Sequence, residues 1–463
     1  MTHYYLPRAT YRQTLGGLLV LTVILAAGLS PMQSDSWWQL RAGKDMWASG
    51  RVLLSDTYSH TASGAFWPNH EWLAEVLYYG AYRLGGLPMV TLLATALIAC
   101  AWLISWTLTS GPAPRAFGLA AIALVPSSLW WEPRPHAFSL LFMMVAVSLV
   151  CSRRYRWLPP LFLVWANCHG GVLLGLVILG AGLAPIALRS AGERRAVAAT
   201  WLACLAATFI TPLGWRYWVL IPESLGRISL YPLDEWRRTP LSEITLAPFW
   251  AIAALFSWTM LRRYARVGRS QPSWDETTCA CALVLLPASM MAIRNVGLFL
   301  MLAVPALTML LDRRGDESQR HEARAFNAFL LAAAGGLVVS TLCWSYAVSA
   351  RKLKWQPISG EALAALHSCP GNLYNRYDEG GSLLWFAPER KVFIDGRQDP
   401  FPASMVLEHI RMETVGGDTD RVFTRHDIGC AYLPDSSPTA AYLVKTGWAK
   451  LFDGEGWVVL ERQ

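Results

Sequence analysis

Charge is what this sequence has least of. Only 16% of its 463 residues are Asp, Glu, Lys or Arg, while 54% are hydrophobic, a balance that does not keep a soluble chain of this length in solution. The cysteines lack metal-site spacing, since Cys279 and Cys281 lie inside an apolar run. Only Cys369 and Cys430 fall in polar sequence, and two cysteines in a segment of that size are more often unpaired than bonded, so free thiols are expected there. A disulfide between them would require an oxidising compartment. No cleavable signal is expected either: the first apolar run, Leu15 to Leu29, ends in Ser-Pro-Met-Gln without a small-x-small site and reads as a retained helix. The sequence has no internal repeat and no low-complexity linker. The net charge of +8 does not imply nucleic acid, because the arginines gather at the ends of apolar runs.

What the chain has in quantity is long apolar sequence. Runs recur near 13 to 32, 87 to 110, 114 to 131, 136 to 152, 157 to 168, 171 to 189, 196 to 212, 246 to 262, 276 to 293, 296 to 312 and 324 to 347. These amount to about eleven membrane spans for a hydrocarbon core of about 30 Å. Runs without alternation mean helices rather than a barrel. With Arg8 and Arg12 cytoplasmic, every second connection is arginine-rich: Arg115, then Arg153, Arg154 and Arg156, then Arg189, Arg194 and Arg195, then Arg262, Arg263, Arg266 and Arg269, then Arg313, Arg314, Arg320 and Arg324. This asymmetry, with an odd number of spans, places the loop after the first span and the C-terminus outside.

That loop, 33 to 86, carries the densest set of unusual residues. Asp35 follows the first span directly, where a carboxylate is costly to hold, which makes it the candidate catalytic base. Trp38, Ala42 and Met46 recur at helical spacing among Arg41, Lys44 and Asp45, as in an amphipathic helix lying in the interface. Gly50 should stop that helix, Asp56 to Gly64 is turn-like, and a second helical stretch runs from His70 towards Gly85-Gly86. Plainer accounts stand beside the functional ones. Asp35, between Ser34 and Ser36, is placed to cap its helix; Asp56 can start a turn with Thr57 and Ser59; Glu71 can serve only as a salt-bridge partner.

Further polar motifs fall on the same outward side: Glu132-Pro-Arg134-Pro-His136, Asn167-Cys-His169-Gly-Gly171, Asp234-Glu235-Trp236-Arg237-Arg238 and Arg294-Asn295. Prolines on both sides of Arg134 hold a short, defined corner. Arginine forks suit phosphate oxygens, so Arg134 and Arg294, a lone cation between two spans, are candidates to bind one, with His136 beside them. Snorkelling at a helix end is the plainer account of both arginines. His169 either meets a phosphate or acceptor hydroxyl or bonds a neighbouring helix. His70, Glu71, His136 and His169 have metal-ligand composition but no diagnostic spacing, so no cofactor is expected.

Beyond about residue 350 the composition changes. A transmembrane domain of 1 to 350 is therefore followed by a small extracytoplasmic α/β domain over 351 to 463. Strands are expected at Ser382 to Phe386, Val392 to Ile394, Ala431 to Leu433 and Trp457 to Leu460, and helices near 360 to 368, 403 to 411 and 437 to 446. Polar loops at Asn372 to Gly381 and Lys391 to Asp399 lie next to these strands, a common place for binding residues, although Asp395-Gly396 equally suits a tight turn.

The plan resembles the GT-C superfamily of membrane glycosyltransferases, in particular the branch of protein O-mannosyltransferases and aminoarabinose transferases. It is similar to uncharacterised bacterial membrane proteins that share Asp-x-Trp-Trp, His-Glu-Trp, Arg-Pro-His, His-Gly-Gly and Ile-Asp-Gly-Arg, here at Asp35, His70, Arg134, His169 and Ile394. One departure is Ser36, where that family typically has glutamate after the aspartate. The resemblance implies a polytopic helical enzyme of the bacterial inner membrane that moves a sugar from a polyprenyl-phosphate donor to a glycan, lipid or protein acceptor at the outer face. It implies Asp35 as base, Asp56, His70, Glu71 and His169 as positioning residues for acceptor or donor, and Arg134, His136 and Arg294 on the lipid phosphate. The competing class is a transporter or an assembly factor for envelope polysaccharide. Transporters tend to carry midplane charges and repeats, and neither is evident.

Overall fold

Each apolar run becomes a helix, because a backbone in hydrocarbon must satisfy its own hydrogen bonds. The computed structural model describes residues 8–227, 234–267, 276–312, 323–415 and 418–463; Arg269, Arg313, Arg314 and Arg320 of the charge pattern lie outside them. The chain divides into two units, one of Met1–Ser30, Pro88–Thr211 and Leu233–Ser349, the other of Pro31–Leu87, Pro212–Pro232 and Ala350–Gln463.

The helices, in chain order, are α1 (Tyr11–Gly28), α2 (Ser34–Ser49), α3 (Trp72–Thr107), α4 (Ala113–Ser127), α5 (His136–Cys151), α6 (Leu158–Cys168), α7 (Val172–Arg189), α8 (Arg194–Ala207), α9 (Tyr217–Arg227), α10 (Ala247–Val267), α11 (Glu276–Met291), α12 (Val296–Leu310) and α13 (Arg324–Val348). The expected spans fall on α1, the later part of α3, α4 to α8 and α10 to α13. Among the described residues, six helical stretches are long and apolar enough to cross a membrane, and α5 and α11 are shorter apolar helices. At 11 residues, α6 reaches only about 16 Å, well short of a bilayer of about 30 Å. Within this unit α12 is buried along nearly its whole length. By contrast, α13 buries only Val338 and Leu342, leaving the rest of its apolar surface to face lipid.

The second unit joins the first loop to the C-terminal segment. As expected, α2 stops at Gly50, which takes a left-handed conformation (φ 63°) suited to a residue without a Cβ. The α3 helix is broken by non-helical backbone at Gly85 and Gly86. Helices α14 (Gly360–Ser368), α15 (Tyr377–Phe386), α16 (Ala403–Val415), α17 (Thr419–Arg425) and α18 (Pro438–Lys445) accompany strands β1 (Asn372–Asn375), β2 (Ile428–Pro434), β3 (Ala449–Gly454) and β4 (Trp457–Glu461). The sheet order is β1-β2-β4-β3, with β1 parallel to β2 and the other pairs antiparallel. Trp38, Ala42 and Met46 of α2 share one apolar cluster with Leu366, Leu373, Leu383, Val392, Tyr432 and Val459. The amphipathic face read in the first loop is thus covered by protein within this unit.

Three expectations change. The run from Ser382 to Phe386 is helical: Asp378 and Glu379 sit in the first turn of α15, where acidic side chains favour a helix start, and a short apolar run alone does not distinguish strand from helix. Val392 to Ile394 is not a sheet strand; Val392 makes a single parallel bridge with Ser59, its N–H donating to Tyr58 O and its carbonyl accepting from His60 N, both at 3.1 Å. Cys369 and Cys430 are bonded, with Cα atoms 5.7 Å apart, because Cys430 lies on β2 and Cys369 just ahead of the neighbouring β1. The two are 61 residues apart in sequence. For a loop of that length, chain entropy assigns the bond roughly 4 kcal/mol, and measured losses are about 2–5 kcal/mol. Replacing both cysteines by serine should destabilise this unit by about 2–4 kcal/mol, read as a lower denaturation midpoint of the purified protein.

Candidate functional site

Asp35 occupies the first turn of α2 but does not cap it. Gln33 is the cap residue, its N–H donating to Ser36 Oγ at 3.4 Å. Ser36 is 2% exposed, so its small hydroxyl is enclosed. The Asp35 carboxylate is turned instead to its own helix and to the segment near 396. Trp38 Nε1 donates to Asp35 Oδ1 at 3.0 Å, and a Cβ on Gly396 would overlap that same oxygen.

The other residues singled out in the first loop form two groups. Asp56 is enclosed: it accepts from Tyr58 N at 3.1 Å and Ser59 Oγ at 2.5 Å, and pairs with Arg397 at 2.7 Å with both side chains fully buried. The turn it was expected to start is present. Glu71 accepts from Gln39 Nε2 at 3.0 Å, while its N–H donates to Asn69 Oδ1 at 3.2 Å. His70 Nε2 stands 3.9 Å from Glu71. Asn69 Nδ2 also donates to the wholly buried Glu75 at 2.7 Å. Burial, and then the Glu71 charge, push the Tyr217 hydroxyl far above its ordinary range, so it acts as a neutral phenol. Among the described residues no set of three or more His, Cys, Asp or Glu is placed to hold a metal.

In the membrane unit, two of the expected phosphate ligands meet. Arg134 Nη1 donates to Glu235 Oε2 at 3.1 Å, and Arg294 Nη1 to Glu235 Oε1 at 2.9 Å. Arg294 is therefore not a lone cation; its guanidinium also lies 4.6 Å from the centre of the Trp236 ring. Burial alone would raise the Glu235 carboxyl, but the guanidiniums of Arg294 and Arg134 override it and hold it at about 2. The three side chains are 15–19% exposed. His136 bonds the carbonyl of Trp130.

His169 ends α6. Its Nδ1 accepts from Gly171 N at 3.0 Å and lies 2.7 Å from Ser139 Oγ, which itself accepts from Trp165 Nε1 at 2.7 Å. With Nδ1 accepting, a neutral ring carries its proton on Nε2. A side chain at 171 would stand 2.5 Å from Ser139 Oγ, which accounts for glycine there.

The sequence reading placed Glu235 only in a charged run, Trp38 only on an amphipathic face and Gly396 only in a turn, and gave none of them a partner at the candidate site. Glu235 stood in a charged run whose two flanking arginines offered nearer partners, and nothing local shows that it pairs with residues 101 and 59 positions away. The one available signal was two arginines at span ends, which need an anion to be held partly buried.

No protein-family model matches this chain, and no curated protein matches its sequence. Solved structures do match in fold. The archaeal oligosaccharyltransferase AglB from Archaeoglobus fulgidus, in complex with an inhibitory peptide and a dolichol-phosphate, aligns with a TM-score of 0.58 at 11% identity, over 93% of this chain and 70% of that one. ArnT from Cupriavidus metallidurans, bound to undecaprenyl phosphate, aligns with a TM-score of 0.53 at 13% identity, over 95% and 96% of the two chains. The chain thus shares its fold with AglB and ArnT, and six of its described helical stretches are long and apolar enough to cross a membrane.

Proposed function

We propose that this protein transfers a sugar from a polyprenyl-phosphate carrier to an acceptor hydroxyl at the outer face of a bacterial inner membrane. The observation that carries the reading is the Arg134–Glu235–Arg294 cluster: two guanidiniums brought together by one carboxylate and left partly accessible. Two fold neighbours supply the class of ligand, since AglB is described with a dolichol-phosphate and ArnT with undecaprenyl phosphate.

In the proposed reaction the acceptor oxygen attacks the anomeric carbon and gives its proton to Asp35. The bond from that carbon to the phosphate oxygen breaks, and its electron pair leaves with the polyprenyl phosphate. Arg134 and Arg294 take the charge that grows on the leaving phosphate. Glu235 holds the two forks at a fixed spacing, so little reorganisation is needed when the phosphate arrives. The Cys369–Cys430 bond supports an oxidising, extracytoplasmic setting for the C-terminal segment.

Purified protein incubated with labelled polyprenyl-phosphate sugars should give lipid-dependent transfer. Asp35→Asn should fold normally and lose it; transfer at the wild-type rate in that variant would remove Asp35 from the mechanism. Arg294→Gln should lower kcat on the order of 100-fold, measured by the same assay. The carboxyl of Glu235 lies below its ordinary value of 4.5, so its stabilising contribution is fully present above that pH and is lost as pH falls towards about 2. Donor binding through the arginine pair should therefore be unchanged between about pH 5 and 8, whereas Glu235→Gln should weaken it at every pH in that window.

A further inference from the structure

The strongest unused feature of the molecule is the fully buried guanidinium of Arg397. Its Nε and Nη2 fork onto Asp395 at 2.8 and 2.6 Å, its Nη1 reaches Asp56 at 2.7 Å, and the rings of Tyr58 and Trp67 each lie 4.9 Å from its carbon centre. The turn between the two forked residues consists of Gly396 alone. Its carbonyl accepts from the Tyr377 hydroxyl at 3.0 Å, and Gln398 Nε2 donates to that same hydroxyl at 2.8 Å. Just ahead of the turn, Asn375 clamps the chain on both sides, donating to Ile394 O at 2.7 Å and accepting from Phe393 N at 2.8 Å. Few turns are held from so many directions, and Gly396 is the residue that lies against Asp35.

Three glycines make this approach fit. A Cβ at Gly381 would overlap the Ser34 carbonyl at the start of α2, one at Gly380 would overlap Ile394 O, and one at Gly396 would overlap Asp35 Oδ1 and stand 3.1 Å from Trp38 Nε1. Close backbone approach requires glycine at 380 and 381, whereas at 396 the near neighbour is the carboxylate of Asp35 itself, which an added methyl would displace. The ion triad, the pinned turn and the glycines therefore converge on one carboxylate.

We propose that the Asp56–Arg397–Asp395 triad and the Tyr377-pinned turn at Gly396 form the seat that sets the position of the Asp35 carboxylate, making Arg397, Tyr377 and Gly396 positioning residues for the reaction. The C-terminal segment is then a component of the reaction centre. This rests on the reading of Asp35 as the base, but the seat itself is testable without it.

The test follows the reactivity of Asp35 in the full-length purified protein, using carbodiimide and an amine label quantified by peptide mass spectrometry. Gly396→Ala should raise the labelling rate of Asp35 at least threefold, while the exposed carboxylates Asp418 and Asp453 label as in the wild type. Tyr377→Phe removes one hydroxyl from a half-buried ring, and it should raise Asp35 labelling in the same direction even where Gly396→Ala does not fold. Arg397→Lys keeps the charge without the fork and should fall between Tyr377→Phe and Gly396→Ala. In the transfer assay, Gly396→Ala should lower kcat at least tenfold and leave KM for the lipid donor within twofold of the wild type. Wild-type labelling of Asp35 in folded Tyr377→Phe and Arg397→Lys variants would overturn the seat. Unimpaired transfer by Asp35→Asn would overturn the base assignment alone and leave the labelling result standing.

Discussion

Arg397 is the side chain on which the second unit depends. A guanidinium fully removed from water loses several kcal/mol of solvation, and only close, well-aligned partners repay it. Here Asp395 receives two parallel bonds and Asp56 a third contact, with the faces of Tyr58 and Trp67 closing the site. Removing one of the two carboxylates by substitution would leave the buried guanidinium undercompensated, at about 3–5 kcal/mol. The first loop and the C-terminal segment consequently behave as one folded body, and the apolar cluster that Trp38, Ala42 and Met46 share with Leu366, Leu383 and Val459 can form. Burial drives that packing, while the ion triad selects its register.

The membrane unit uses the same chemistry with the opposite balance. Around Arg397 two carboxylates enclose one cation and nothing is left for a ligand. Around Glu235 two cations flank one carboxylate, and the side chains keep some exposure. A closed triad whose guanidinium is wholly taken up by its own carboxylates serves structure. A partly exposed pair of cations is suited to an anion that arrives and leaves. The difference lies in stoichiometry and burial, since both clusters are built from the same two residue types.

Several features could be read from residues in order along the chain. Every expected span falls on a helix, because bilayer thickness and backbone desolvation act on any long apolar run regardless of what it packs against. Gly50 ended α2 for a reason contained in one residue, its tolerance of a left-handed backbone. Where local signals conflicted, reading along the chain was less secure. Ser382 to Phe386 is short and apolar enough for a strand, yet the acidic first turn of α15 and the close contacts of Gly380 and Gly381 make it a helix. Asp35 looked like a cap between two serines, but the helix begins one residue earlier, at Ser34, and its carboxylate meets Trp38 instead. The cysteines at 369 and 430 looked unpaired because their 61-residue separation hides the adjacency of β1 and β2.

By itself, the sequence determined the solvent in which this protein lives, the number and approximate bounds of its apolar helices, and the positions of its unusual charges. These follow from composition and periodicity, which act over a turn or a bilayer thickness. The tertiary structure alone decided which charges meet: Arg134 and Arg294 on Glu235, Asp56 and Asp395 on Arg397, and the carboxylate of Asp35 against Gly396. Pairing depends on distances through space between residues far apart along the chain, and every charge in a sequence is compatible with many partners until the packing leaves it one.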